Sequence, residues 1–316
     1  MLWKILMRQA IGMHSSRIGR GIWNLSDPKI WTASLVPFLL GTAIAYSHGF
    51  PIFWNLVIES LVVLVFIEVG KNGINEYFDY KSGADLYVAP EDRTPFSGGK
   101  KVIIDGLLSV RQVGLISVVC LTLAIVAAIP ILQTKPAMLI FGVSGISLAI
   151  AYSIPPFHLS YRGLGELTVG FTFGPIIVNG AYFLQTNSFH REPIFLSIAM
   201  GLLIANVLWI NEVPDVEADR KAQKWNLVAR LGRERALPGF ILLFTVAFLW
   251  IAVSSLLLER YAYLLALFCA VLVPGAVRCA KRNMQNSQEL MRANARTILI
   301  YLLTGLTLAS SCILAR

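Results

Sequence analysis

Apolar residues along this chain gather into nine long windows, at about 30–47, 52–72, 111–131, 136–153, 164–185, 193–211, 237–257, 260–278 and 296–314. Each is close to the roughly 20 residues a helix needs to cross the hydrocarbon core of a bilayer. The pattern predicts an all-α, polytopic membrane protein with nine transmembrane helices. The polar stretches between windows alternate in length. Those after the first, third, fifth and seventh windows are short, and those after the second, fourth, sixth and eighth are long. The long connections therefore all emerge on one side.

Composition agrees with this pattern. Of 316 residues, 56% are hydrophobic and only 14% charged, whereas soluble domains carry about 25% charged residues. All but Lys135, Arg191, Arg260 and Arg316 of the 27 lysines and arginines lie before the first window, in the long connections or at the window ends that border them. Basic residues favour the cytoplasmic side, so the N-terminus and the long loops are expected in the cytoplasm, with the chain in the cell inner (cytoplasmic) membrane. The net charge of +9 then reflects loops facing anionic lipid rather than a nucleic-acid surface. Residues 1–26 contain Lys4, Arg8, Arg17 and Arg20 among apolar residues and no acid, which reads as a basic amphipathic segment lying on the membrane. A targeting peptide is the alternative reading of that composition. Residues 27–316 read as one domain. Cys120, Cys269, Cys279 and Cys312 lack metal-site spacing and read as small apolar residues. His48, His158 and His190 fall at loops or interfaces, and nothing in the sequence marks them as ligands.

Two polar clusters carry the chemistry. The first closes the second window, where Asn72, Asn75, Glu76 and Asp79 share one helical face, with Glu68 a turn deeper and Lys81 and Asp85 following. The second closes the sixth window with Asn211, Asp215 and Asp219 spaced i, i+4, i+8, followed by Lys221 and Lys224. Pro214 cannot donate to the carbonyl of Ile210, which predicts a bend there. A solvated helix end would explain either cluster alone. It does not explain two clusters with the same Asn-x-x-x-Asp spacing at the same depth. Four windows separate them, so an even number of crossings returns the chain to one face, and both clusters sit at the cytoplasmic surface. Asp79, Asp85, Asp215 and Asp219 together carry about −4. Two Mg²⁺ would supply the balancing charge, and Asp and Asn oxygens suit that hard ion.

These motifs resemble those of the UbiA superfamily of intramembrane prenyltransferases. The resemblance rests on Asn75-x-x-x-Asp79 with Asp85, and on Asn211-x-x-x-Asp215-x-x-x-Asp219-x-Lys221. It extends to Arg93-Thr94-Pro95-Phe96-Ser97-Gly98-Gly99 and Leu227-x-x-Arg230-Leu231-Gly232. The run from Tyr152 through Pro155-Pro156 to Tyr161-Arg162-Gly163 is similar to the menaquinone-type members, as are Asn72-x-x-Asn75 and Gly83-x-Asp85. Glu76 departs from the pattern by standing where Asp is usual.

The resemblance implies nine helices around a central cavity capped by cytoplasmic loops. It further implies Mg²⁺-dependent transfer of an isoprenyl chain from an isoprenyl diphosphate to an aromatic acceptor, 1,4-dihydroxy-2-naphthoate or a related quinone precursor. Departure of diphosphate would leave an allylic carbocation that the acceptor ring attacks. Asn75, Asp79, Asp85, Asn211, Asp215 and Asp219 are expected on the metal, and Lys29, Lys81, Arg93, Arg162, Lys221 and Lys224 on the diphosphate. Glu68 and Asn72 are the candidates facing the acceptor, although Glu68 reads equally as orienting Asn72. Tyr152 would bind diphosphate or shield the cation with its ring face. Another naphthoate or an isoprenoid-ether glycerol phosphate is the alternative acceptor. A transporter would place polar residues at mid-membrane, whereas these carboxylates gather at one surface.

Overall fold

The computed structural model describes residues 17–314, and among them there are helices and turns but no strand. In chain order the helices are α1 (Arg17–Ser26), α2 (Trp31–Ser47), α3 (Trp54–Ser82), α4 (Val110–Thr134), α5 (Leu139–Ser153), α6 (Gly165–Phe171), α7 (Ile177–Thr186), α8 (Arg191–Glu212), α9 (Val216–Lys221), α10 (Leu227–Leu231), α11 (Ala236–Leu257), α12 (Val273–Asn283) and α13 (Ser287–Leu314). A π turn at Thr172–Ile176 joins α6 to α7, and tight 3₁₀ turns at Tyr261–Leu272 lead into α12.

Among the described residues, seven stretches are long and apolar enough to cross a membrane, and the pair α1 and α2, bent by 42°, makes an eighth if read as one span. That is fewer than the nine expected, for an identifiable reason. The window at 52–72 lies in α3, where Glu59, Glu68 and Lys71 interrupt the apolar run. The helix α2 by itself has 17 residues. The other windows fall within helical stretches, and α13 begins well before its apolar window, at Ser287.

Two packing regimes are evident. Helices α2, α8, α11 and α13 bury one continuous core that includes Leu40, Ile44, Met200, Phe240 and Tyr301. By contrast, α4 and the stretch Pro136–Ser153 are mostly exposed while strongly apolar, with Leu115, Val118, Ile140 and Val143 turned outward. A helix that is hydrophobic around its outer face suits lipid rather than water. Close approach within the bundle relies on small residues. A Cβ on Gly41 would lie 2.2 Å from the carbonyl oxygen of Val178, whereas one on Gly142 would meet nothing within 4 Å.

Two elements differ from expectation in ways that shape the site. The helix α3 runs on to Ser82 and stops at Gly83, whose φ of 87° only glycine adopts without strain. Asn72, Asn75 and Asp79 thus ride on a rigid helix rather than at a frayed end. The sequence predicted a bend at Pro214, but α8 instead ends at Glu212 and α9 restarts at Val216. Asp215 sits in that break, and the Pro214 carbonyl accepts from Arg233 Nη2 at 2.9 Å. Of the basic N-terminal segment, Lys4 and Arg8 lie outside the described residues. Its described part, α1, exposes Ile18, Ile22 and Trp23 and buries Gly21 and Leu25.

At the opposite end of the bundle, His48 joins α2 to α7 and α8. Its Nδ1 lies 2.9 Å from the Tyr182 hydroxyl and its Nε2 2.7 Å from Glu192 Oε2. His190 lies beside them, close enough for His48, His190 and Glu192 to share one ion. Both ring nitrogens of His48 already have protein partners, so the cluster closes on itself.

Gly41→Leu is expected to overpack the α2–α7 contact and lower the melting temperature and folded yield in detergent, since overpacking costs about 1–3 kcal/mol. Gly142→Leu, facing open space, should leave both unchanged. Fluorescence-detected size exclusion with a heating series measures the difference.

Candidate active site

The break after α8, the end of α3 and the loop from Gly83 to Ser109 surround a cavity of about 550 Å³. Its polar mouth is lined by Asp79, Asp85, Asp215, Asp219 and Lys224. Deeper walls are apolar, with Leu148, Val169, Phe173, Ile204, Val207 and Ile298. The two clusters therefore face each other, as parity of crossings required.

Lys224 spans the gap between them. Its ammonium lies 3.0 Å from Asp79 Oδ2 and 3.7 Å from Asp219 Oδ1. Asp79 also accepts from Asn75 Nδ2 at 3.1 Å and from the Tyr161 hydroxyl at 2.8 Å. The other Asp219 oxygen accepts from Asn226 Nδ2 at 2.7 Å, while Asn226 Oδ1 caps α10 at the Ala229 amide. Asn211 accepts from Asn294 Nδ2 of α13 at 2.7 Å.

Two successive glycines bring the capping loop onto the carboxylates. Gly98 and Gly99 have φ of 69° and 68°. The Gly98 amide donates to both oxygens of Asp215 at 3.1 Å. A Cβ at Gly99 would lie 2.3 Å from Asp85 Oδ2. Glu76 fixes the next turn of the loop, its carboxylate accepting from the Lys100 amide at 2.7 Å and the Ile103 amide at 3.2 Å. Glu76, where the resemblance leads one to expect Asp, thus anchors the loop backbone to α3. On the far side, Asp92 is held by Arg233 Nη2 at 2.8 Å and by the Ser287 hydroxyl.

The charge balance at the mouth is poor without further cations. Burial pushes the Asp85 carboxyl well above its ordinary range, and Asp79, Glu76 and Asp215 push it the same way. Its Oδ2 is buried with no donor. Burial and Asp219 push Asp215 up to about 8, against the Gly98 amide. Burial raises Asp219 to about 6 despite Lys224. Burial alone would lower the Lys224 ammonium, but Asp219 and Asp79 hold it well above its usual value. Six carboxylate and amide side chains with an orphan carboxylate oxygen form a donor set that fits a hard divalent cation.

The six expected metal residues all line this cavity, as do Asn72 and Tyr152. Among the six basic residues expected at a diphosphate, Lys29 and Lys224 line it. The other four are placed elsewhere. The Lys81 ammonium lies 4.4 Å from the Tyr77 ring centroid, and Arg93 Nε donates to the Val88 carbonyl at 3.3 Å. Arg162 and Lys221 are exposed, and the Arg162 carbonyl accepts from Arg230. Glu68 sits behind the lining, its carboxylate taken by the Ser34 hydroxyl and by Lys71 at 2.8 Å. Sequence reasoning passed over Lys71, Lys100 and Lys101, which do line the cavity. The signal was the run Gly98-Gly99-Lys100-Lys101, where two turn-forming glycines deliver two cations.

The model of the UbiA prenyltransferase family matches residues 34–309. The 1,4-dihydroxy-2-naphthoate octaprenyltransferase of Bacillus subtilis is 26% identical over 288 residues, covering 89% of each chain. Human UbiA prenyltransferase domain-containing protein 1 is 30% identical over 297 residues, 91% of this chain and 82% of that protein. The structure of a UbiA homolog from Archaeoglobus fulgidus bound to GPP and Mg²⁺ superposes with a TM-score of 0.60 at 18% identity, covering 92% of this chain and 99% of that one.

Glu76→Ala removes both acceptors that fix the Lys100 and Ile103 amides. Each lost bond is worth about 1 kcal/mol, so protease cleavage within residues 84–109 should accelerate by about tenfold or more. The melting temperature of the helical bundle should change little. Limited proteolysis followed by mass spectrometry reads the cleavage.

Proposed function

Because the chain belongs to the UbiA prenyltransferase family and is a multi-pass membrane prenyltransferase, we propose that it transfers an isoprenyl chain from an isoprenyl diphosphate to 1,4-dihydroxy-2-naphthoate or a closely related quinone precursor, with Mg²⁺ as cofactor, in menaquinone-type biosynthesis. The observation that carries this reading is the pair of Asp clusters facing across Lys224 at the polar mouth of an apolar cavity. The naphthoate acceptor is supported by the Bacillus subtilis relative. The donor class and the ion are supported by the ligands of the Archaeoglobus fulgidus homolog.

Asn75, Asp79 and Asp85 from one cluster, with Asn211, Asp215 and Asp219 from the other, would hold two ions, matching four carboxylates. Bound Mg²⁺ would supply Lewis-acid neutralisation of the departing diphosphate. Lys29, Lys100, Lys101 and Lys224 offer charge-assisted hydrogen bonds to phosphate oxygens. The apolar walls from Phe173 to Ile298 receive the isoprenyl chain and keep water from its electron-poor carbon. Tyr152 lines the same cavity, and its ring face suits a developing positive charge. Asn72 donates its amide to the Leu25 and Ser26 carbonyls, and its Oδ1 accepts from Lys71 Nζ at 3.2 Å with a second lone pair for an acceptor hydroxyl. Glu68 acts through Lys71 as a positioning residue. The donor's C–O bond breaks as diphosphate leaves, the ring carbon of the acceptor forms the new C–C bond to the freed prenyl carbon, and the displaced proton passes to the released diphosphate or to water.

In this reading α2 and α3 each cross the membrane, giving nine crossings with the N-terminus and the carboxylate clusters in the cytoplasm. A cysteine introduced at Ser188 should react with an impermeant maleimide in intact cells, and one at Gln285 only after permeabilisation. The reverse pattern would invert the topology.

Asp79→Asn and Asp215→Asn should each lower prenyl transfer by about 10²–10³-fold, the scale of lost transition-state charge stabilisation, even with excess Mg²⁺. Membranes incubated with labelled isoprenyl diphosphate and a panel of acceptors, with products identified by mass, test the substrate. Transfer to a glycerol phosphate but to no aromatic compound would overturn the acceptor. Undiminished activity of the Asn variants would overturn the metal assignment.

A further inference from the structure

A second recess lies on the other side of α13 from the carboxylate cavity. It occupies about 360 Å³ between α12 and α13, and four arginines line it: Arg278, Arg282, Arg292 and Arg296. No carboxylate belongs to its lining. The nearest acid pairing is at the rim, where Glu289 lies 3.0 Å from Arg292. Two guanidiniums are held by backbone carbonyls, Arg278 Nε on Pro274 at 3.2 Å and Arg296 Nη1 on Gly275 at 2.7 Å. Each keeps further N–H groups for another acceptor. A Cβ at Gly275 would meet nothing within 4 Å, so the floor of the recess is open.

Four like charges converging against the single rim carboxylate of Glu289 call for an anion, and planar guanidinium forks match phosphate oxygens. We propose that this recess is a binding site for the phosphate headgroup of an anionic glycerophospholipid, separate from the carboxylate cavity. Three observations favour a lipid over a soluble anion. The four arginines are exposed at the same end of the bundle as the carboxylate clusters, where basic pockets between membrane helices meet headgroups. Exposed apolar side chains continue from the recess along both walls, Val271 and Leu272 ahead of α12 and Leu299 and Leu303 beyond Arg296. The lining also lacks the acid that a metal-bridged diphosphate would need.

The site bears on the cavity behind it. On α13, Asn294 lies two residues from both Arg292 and Arg296 and therefore on the opposite face. Asn294 donates to Asn211 Oδ1 at 2.7 Å and to the Ile210 carbonyl at 3.3 Å. A headgroup in the recess relieves repulsion among the arginines and seats the helix that carries Asn294.

The test uses the full chain in uncharged detergent, with thermal unfolding read as each probe is added. Phosphatidylglycerol should raise the melting temperature by several degrees, while phosphatidylcholine and inorganic phosphate should not. In Arg282→Gln/Arg292→Gln the phosphatidylglycerol effect should need at least about tenfold more lipid, the size expected for a lost charge-assisted hydrogen bond. An equal response of variant and wild type, or equal protection by phosphatidylcholine, would overturn the proposal. Protection of the wild type by isoprenyl diphosphate in EDTA, lost in the variant, would reassign the recess to the prenyl donor and equally overturn it. Should the variant fail to fold, a photoreactive phosphatidylglycerol on the wild type decides. Labelling confined to residues 271–303 supports the site, and labelling elsewhere refutes it.

Discussion

Lys224 stands between two groups of carboxylates that would otherwise repel each other across the mouth of the cavity. The rest of the site depends on that one cation. Asp79 is carried by α3 and Asp219 by α9, elements far apart in sequence, and the ammonium draws them to a common point. Asn226 then fixes Asp219 from behind and caps α10, while Tyr161 fixes Asp79 from the side. Burial, and after it the neighbouring carboxylates, make Asp85 and Asp215 resist ionisation even with Lys224 beside them, and a donor set of that kind suits divalent cations.

The helical architecture was legible because a bilayer leaves few options. Backbone polar groups must be satisfied within the segment, so long apolar windows become helices. Length and composition alone yield seven or eight spans rather than nine, because Glu59, Glu68 and Lys71 enter the apolar run of α3 and α2 by itself has 17 residues. Local breakers were also read incompletely. Pro214 was expected to bend a helix, but a polar neighbourhood that could take up freed backbone groups, Arg233 on the Pro214 carbonyl among them, allowed a full break.

The carboxylates of the site were legible from paired spacing, because i, i+4 repeats at matched depth fix both face and height. The cations were legible only in part, since Lys29 and Lys224 line the cavity and Lys81, Arg93, Arg162 and Lys221 do not. Lysines and arginines in cytoplasmic loops serve membrane orientation as well as substrate, and only the path of the loop decides which point inward. Lys81 and Arg93 flank the motifs closely yet turn to Tyr77 and Val88, whereas Lys100 and Lys101 arrive through two glycines in left-handed conformation. Glu76 reads in the sequence as one of four acids of the first cluster and is an anchor for that path.

The capping loop is fastened at several points, among them α3 by Glu76, the α8–α9 break through Gly98 and Asp215, α13 and Arg233 through Asp92, and Asp27 through Lys100. A prenyl cation reacts with water as readily as with an aromatic ring, and the wrong partner yields a prenyl alcohol. Fidelity in such a reaction is a contest between nucleophiles, decided by which one is present when the leaving group departs. A cap tied to several separate regions makes admission of solvent a concerted event rather than the lapse of a single contact, so faithful use of the donor is a property of the loop's fastenings as much as of the acceptor pocket.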